Sequence, residues 1–215
     1  MFKKIIIFIL SLASAGLFLS GEEPQPMLLL FSLLLFVIAF QKIFQKISRW
    51  INFPLAVKLV MIMIAVGLIT EALAIWNNAN LTAAEITEAN RLYSSDPMTD
   101  IILGWGYYIP LALAWTYLLK KYRYQTKDVF IAMGIFGIFF EGQGIVFLSF
   151  NPVMWLYAVL VHGSYMTMAY VMVKQDRAIT DSNAKEISAL KRYFYGLLAG
   201  IATFIPFVIW QIIIT

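Results

Sequence analysis

The sequence has no cysteine and a single histidine, His162. The first absence excludes disulfides, thiolate metal centres and cysteine nucleophiles. The second excludes a bis-histidine haem and any zinc site drawing several imidazoles from this chain. The chain also lacks a phosphate-binding glycine loop, a zinc-protease helix motif, a nucleophile elbow and a carboxylate-rich metal motif, so no cofactor and no metal are expected. Charge is scarce as well. Only 13% of the 215 residues are charged, against about 25% in a soluble domain, too few to clothe a water-facing surface.

Apolar side chains take the place of charge. The chain is 61% hydrophobic and 16% aromatic, with a mean hydropathy of +0.80, which marks an integral membrane protein. Seven apolar spans are legible, at 5–20, 27–41, 56–76, 101–119, 129–149, 153–173 and 193–214. The first two are short. All must be helical, because lipid offers backbone N–H and C=O groups no partner. The expected fold is all-α: a polytopic bundle of seven transmembrane helices forming a single domain over 1–215. Lys3-Lys4, a short apolar run and Ala13-Ser14-Ala15 also resemble a cleavable signal, whose removal leaves six spans. The two halves do not repeat, which gives an inverted-repeat transporter no support.

The connecting segments alternate in charge. Fifteen of the 16 basic residues fall on one side: Lys3, Lys4, Lys42, Lys46, Arg49, Lys58, Lys120, Lys121, Arg123, Lys127, Lys174, Arg177, Lys185, Lys191 and Arg192. The other side holds Glu22, Glu23, Glu85, Glu88, Asp96 and Asp100, with Arg91 its only base. The positive-inside rule then gives an inside N-terminus and an outside C-terminus. The net charge of +4 is a topology signal, and no nucleic acid is expected. The longest outside segment, 77–100, contains a polar helical stretch (LTAAEITEANRLY) capped by Thr82 with Glu85 three residues on. Its Asn80-Leu81-Thr82 sequon is meaningless in a bacterial inner (plasma) membrane, the expected location. Asp96-Pro97 marks the start of the fourth span.

Two glutamates, Glu71 and Glu141, lie within spans, where a carboxylate costs several kcal/mol unless paired, protonated or facing water. Gly134, Gly137, Glu141 and Gly144 recur at steps of three and four and share a helix face. Such glycines admit a neighbouring helix. The fifth and sixth spans join at a turn near Asn151-Pro152. Glu141 is ten residues before Asn151 and His162 eleven after it, so equal rise puts both ~15 Å below the turn. On the sixth span Trp155, Ala158, His162, Tyr165 and Ala169 form a matching stripe. Glu141 and His162 are therefore the candidate catalytic pair, able to share a proton. The same pair is also readable as a hydrogen bond that fixes register, or as two groups that do not meet.

Glu71 shares a face with Gly67 and Ala74 near the outer end of the third span, level with Asp100, Trp105, Tyr107, Tyr108 and Pro110 on the fourth. One reading is interfacial, with Trp76 and Trp105 in an aromatic belt. The other is an aromatic-walled cavity with carboxylates, suited to a cationic or cation-forming ligand. Glu71, Asp100, Trp105, Tyr107, Tyr108, Gln143, Trp155 and Tyr165 are the ligand-binding candidates. Gly196 and Gly200 (GLLAG) signal close packing, inside the chain or in a homodimer.

Residues 56–173 resemble the emopamil-binding and sigma-receptor-like family (EXPERA domain) of helical membrane proteins. The resemblance rests on TEALAIW at 70–76, on an outside loop ending NRLYSSD at 90–96, and on YYIPLALAW at 107–115. An acidic residue in the fifth span and NPVMWLY at 151–157 extend it. It implies a pocket between helices for a sterol-like or cationic amphiphilic ligand, with Glu71 and Asp100 as the family's carboxylates. Some members move protons to isomerise a sterol double bond. Gly67 stands here where the family has a histidine, so the resemblance implies binding more than isomerisation.

The leading expectation is an intrabundle pocket for a lipophilic or amphiphilic small molecule, such as a membrane lipid, isoprenoid or sterol. Acid–base chemistry of isomerase type would run at Glu141 and His162. The alternatives are a proton-coupled transporter or channel with Glu141 as carrier site, and a structural subunit of a membrane complex.

Overall fold

The computed structural model describes residues 2–20, 26–79, 96–140 and 144–214. In chain order its helices are α1 (Phe2–Ser20), α2 (Pro26–Ala39), α3 (Gln41–Trp50), α4 (Leu55–Ala79), α5 (Pro97–Lys121), α6 (Thr126–Phe140), α7 (Ile145–Leu148), α8 (Pro152–Val173), α9 (Arg177–Thr180), α10 (Ala189–Ala202) and α11 (Phe204–Ile214). Among the described residues there is no strand. A single parallel bridge joins Tyr122 to Lys185.

Four helical stretches are long and apolar enough to cross a membrane: Leu55–Trp76, Pro97–Lys121, Pro152–Val173 and Ala189–Ile214. The protein therefore reads as a multi-pass membrane protein. The other apolar runs fold into shorter or interrupted pieces, each with a local cause. The run at 27–41 turns by 78° between Leu28–Ala39 and Gln41–Trp50, which together would make a fifth span. Beyond the bend, QKIFQKISRW carries three cations among apolar residues, a composition that favours lying along an interface over crossing hydrocarbon. The run at 129–149 is not one helix. α6 ends at Phe140 and Gly144 has φ +91°, a left-handed conformation open mainly to glycine. The last of the four long stretches, Ala189–Ile214, carries a one-residue irregularity at Thr203, where Pro206 has no N–H to give the Ala202 carbonyl. The Thr203 hydroxyl instead bonds the Gly200 carbonyl at 2.6 Å. α5, by contrast, continues through Pro110.

Helix starts follow the sequence signals. Asp96 caps α5, accepting from the Thr99 N–H (2.8 Å) and hydroxyl (2.7 Å), with Pro97 in the first turn. Those bonds hold the Asp96 carboxyl below its ordinary range. Asn151 caps α8 ahead of Pro152 in the same manner. The stretch at 80–95, with the sequon and the Thr82 cap, lies outside the described residues.

α8 sits centrally and packs against α2, α3, α4 and α6, with Ala158, Met166, Ala169, Val171 and Val173 fully buried. Two buried ion pairs gather the basic helix ends. Lys58 at the start of α4 meets Asp176 beyond α8 at 2.6 Å, and Arg192 on α10 meets Asp128 on α6 at 2.7 Å. Gly196 and Gly200 pack inside the chain. Gly196 lies against Ala132 and Trp115, and Gly200 against the Phe136 ring. A homodimer through this pair would have to displace those contacts.

Candidate functional site

The polar residues of the bundle interior converge from three helices. Neighbouring residues on a helix point about 100° apart, so Tyr107 and Tyr108 on α5 address different partners. The Tyr108 hydroxyl donates to Glu71 Oε1 on α4 at 3.1 Å. The Tyr107 and Tyr165 hydroxyls bond at 2.8 Å, and Tyr165 in turn bonds His162 Nδ1 one turn earlier on α8. Tyr108 meets Tyr165 edge-on at 5.7 Å between ring centroids, so aromatic contact joins the two polar pairs. Phe136 of α6 stacks on Tyr107 (6.1 Å, 17°) and stands edge-on to His162 (5.7 Å). Phe207 of α11 meets Tyr107 edge-on at 6.3 Å.

Glycines make room for this arrangement in a reciprocal way. A Cβ on Gly67 would come within 2.5 Å of the Tyr108 ring, and one on Gly104 within 3.0 Å of Glu71 Oε1. Gly67 precedes Glu71 by four residues, and Gly104 precedes Tyr108 by four, so each helix offers a hole to the other's polar knob. The space that a histidine would need at Gly67 is filled by the Tyr108 ring.

The glycine face of α6 does meet α8. Gly137 lies against the Ala158 carbonyl and the His162 side chain, and Gly134 against Val159. The register, however, differs from equal counting. Gly137, 14 residues before Asn151, would then face Tyr165, 14 after it. Residues 144–150 hold the left-handed Gly144, the one-turn helix α7 and a tight turn before Asn151, and the observed pairing is shifted by about a turn. Equal counting presumed continuous α-helix through 149, and Gly144 with φ +91° leaves the α-helical region. Nor does Gly144 continue the face of Gly134 and Gly137. Glu141 and Gln143 themselves lie outside the described residues.

Asp100 is buried, at 1% exposure, in the first turn of α5. Trp105 is half-buried, and its indole N–H has no hydrogen-bond partner among the described residues. Trp155 stands apart from the cluster. Its Nε1 donates to the Val146 carbonyl at 2.9 Å and its ring stacks on Phe147, which pins α7 to α8.

Ser164 and Thr167, one residue before and two after Tyr165 on α8, were not among the sequence candidates. Both are buried and their hydroxyls have no partner among the described residues. The signal was the polar run HGSYMT inside an apolar span. The Asp128–Arg192 and Lys58–Asp176 pairs were equally hidden, since Lys58 and Arg192 are accounted for as topology charges and nothing local announces their partners.

Comparison of the chain with protein-family models, with curated proteins and with solved structures returns no match in any of the three.

Proposed function

We propose that the interior cluster is the binding and acid–base site for a lipophilic or amphiphilic small molecule whose polar end enters from the bilayer. The observation that carries this reading is the chain His162–Tyr165–Tyr107, hydrogen-bonded across two spanning helices. Its elements are an imidazole and two phenols, groups that give and take protons. Tyrosine faces and the Glu71 carboxylate favour a cationic or cation-forming head. Trp105 on α5 and Ser164 and Thr167 on α8, the helices that carry the cluster, hold buried donors without a partner among the described residues. In this reading the Tyr165 hydroxyl on Nδ1 sets the His162 tautomer, and the imidazole is the group that exchanges a proton with the ligand. Glu141, four residues beyond Gly137, is the candidate second acid–base group. The EXPERA-like pattern supports the same ligand class, with Tyr108 taking the space of the family's histidine.

The topology is read as N-inside, C-outside, from the placement of 15 of the 16 basic residues. The buried pairs Lys58–Asp176 and Arg192–Asp128 support one common side for these segments.

The test is extraction of protein purified in native lipid particles, followed by mass spectrometry of the bound lipophiles. Wild type should carry a discrete amphiphile above the bulk lipid background. Glu71→Gln and Tyr165→Phe, checked for unchanged helicity, should lose most of it. Extracts identical across wild type and both variants would refute the site.

A further inference from the structure

The elbow between α2 and α3 carries a second site, remote from the interior cluster. α3 is inside-out for a water-facing helix. Its polar Gln45 and Ser48 are buried against the protein, and Gln45 Nε2 donates to the Val171 carbonyl at 3.0 Å. Its apolar Ile43, Ile47 and Trp50 are exposed, Trp50 at 74%. Lys42, Lys46 and Arg49 are exposed on the same helix, and the Lys46 ammonium lies 5.0 Å from the centre of the Trp50 ring. A helix presenting both bulky apolar side chains and cations outward matches the boundary between headgroups and acyl chains.

Where α3 leaves α2, a groove of about 330 Å³ opens against α1, lined by Lys4, Ile5, Phe8, Phe40, Lys42 and Ile43, with Ala39 in its floor. Among the described residues two cations and no acid line it, and the remaining walls are apolar. α1 is fastened in place by the Ser11 hydroxyl on the Ser32 carbonyl (2.7 Å) and the Ser14 hydroxyl on the Leu28 carbonyl (3.0 Å). The groove thus has a built wall on each side.

We propose that this groove holds an anionic phospholipid of the basic-side leaflet. Its phosphate sits between the Lys4 and Lys42 ammoniums, and the start of an acyl chain runs along Ile5, Phe8, Phe40 and Ile43. Charge complementarity selects an anion. The apolar walls select a lipid over a free phosphate, which would leave them uncovered.

Native mass spectrometry of the full chain, loaded with equimolar phosphatidylglycerol and phosphatidylcholine, tests this. Phosphatidylglycerol should be retained in preference, and inorganic phosphate should not displace it. Lys4→Glu combined with Lys42→Glu should cut that retention about tenfold. Lys120→Glu combined with Lys127→Glu, the same charge change elsewhere on the basic side, should leave it intact. The milder Lys4→Gln with Lys42→Gln, which keeps the fold if the reversal does not, should cut retention about threefold. The proposal is overturned if wild type shows no preference for phosphatidylglycerol or if inorganic phosphate displaces the lipid. Equal losses in the two reversal pairs, or wild-type retention in the Gln pair, overturn it as well.

Discussion

Tyr165 connects more of the site than any other single residue. It is 1% exposed, and its hydroxyl bonds both His162 and Tyr107. Tyr165→Phe keeps the ring in place and takes one partner from each of those groups, at a cost of about 1–3 kcal/mol. A thermal-unfolding comparison in detergent checks this, and a neutral result would mean that the bonds contribute nothing net. Phe150 poses the opposite case. It is a non-glycine residue at φ +49°, exposed at the turn before α8, and bulky residues dislike the left-handed region. Phe150→Asn, with a side chain that tolerates that region, should raise the melting temperature by a few degrees, equivalent to roughly 1 kcal/mol. The residues Tyr107, Tyr108, Glu71, His162 and Tyr165 were legible as site candidates because polar and aromatic groups inside apolar spans need partners. Which partner each takes was not legible. Glu71 pairs with Tyr108, and His162 with Tyr165, through packing between helices far apart in sequence.

Helix against helix, the glycines separate what is essential from what is incidental. At Gly137 an added Cβ would lie 2.6 Å from the His162 ring and 2.8 Å from the Ala158 carbonyl, whereas at Gly16 it would meet nothing within 4 Å. Gly137→Ala should therefore push α6 from α8 and cost about 1–3 kcal/mol. Gly16→Ala should be neutral or stabilising by up to roughly 1 kcal/mol. Equal melting temperatures for the two variants would contradict the α6–α8 contact. The small-residue stripes were readable from spacing, and α6 and α8 do meet along them. Their register was not readable, because a left-handed Gly144, the short helix α7 and a tight turn stand where a straight span is expected. The bend after Ala39 escaped for a similar reason: the apolar run ends at 41 in sequence, but nothing in its composition states the 78° turn.

At the scale of the whole molecule, buried charge ties the basic helix ends together. Asp128 is fully buried and paired with Arg192, so Arg192→Leu leaves an uncompensated carboxylate and should cost about 3–5 kcal/mol. Adding Asp128→Leu should recover much of that loss. Additive losses in the double variant would argue against a direct pair. Membrane character and the helix-rich fold were legible from composition alone, and the positions of most helices from hydropathy. The number of crossings was less so, since hydropathy does not distinguish a crossing helix from an interfacial or broken one. The absence of cysteine allows a direct test of topology: Thr82→Cys should react with an impermeant maleimide from outside intact cells, and Asn183→Cys only after the membrane is opened. The reverse pattern would overturn the proposed orientation. The single histidine makes the interior cluster measurable without ambiguity. The most direct measurement is the ¹⁵N spectrum of histidine-labelled, delipidated protein in bilayers, before and after the extracted amphiphile is added back. The account predicts that the His162 ring signals move on addition and that Tyr165→Phe abolishes the movement. Ring signals unchanged by the amphiphile would contradict it and leave His162 as a packing residue only.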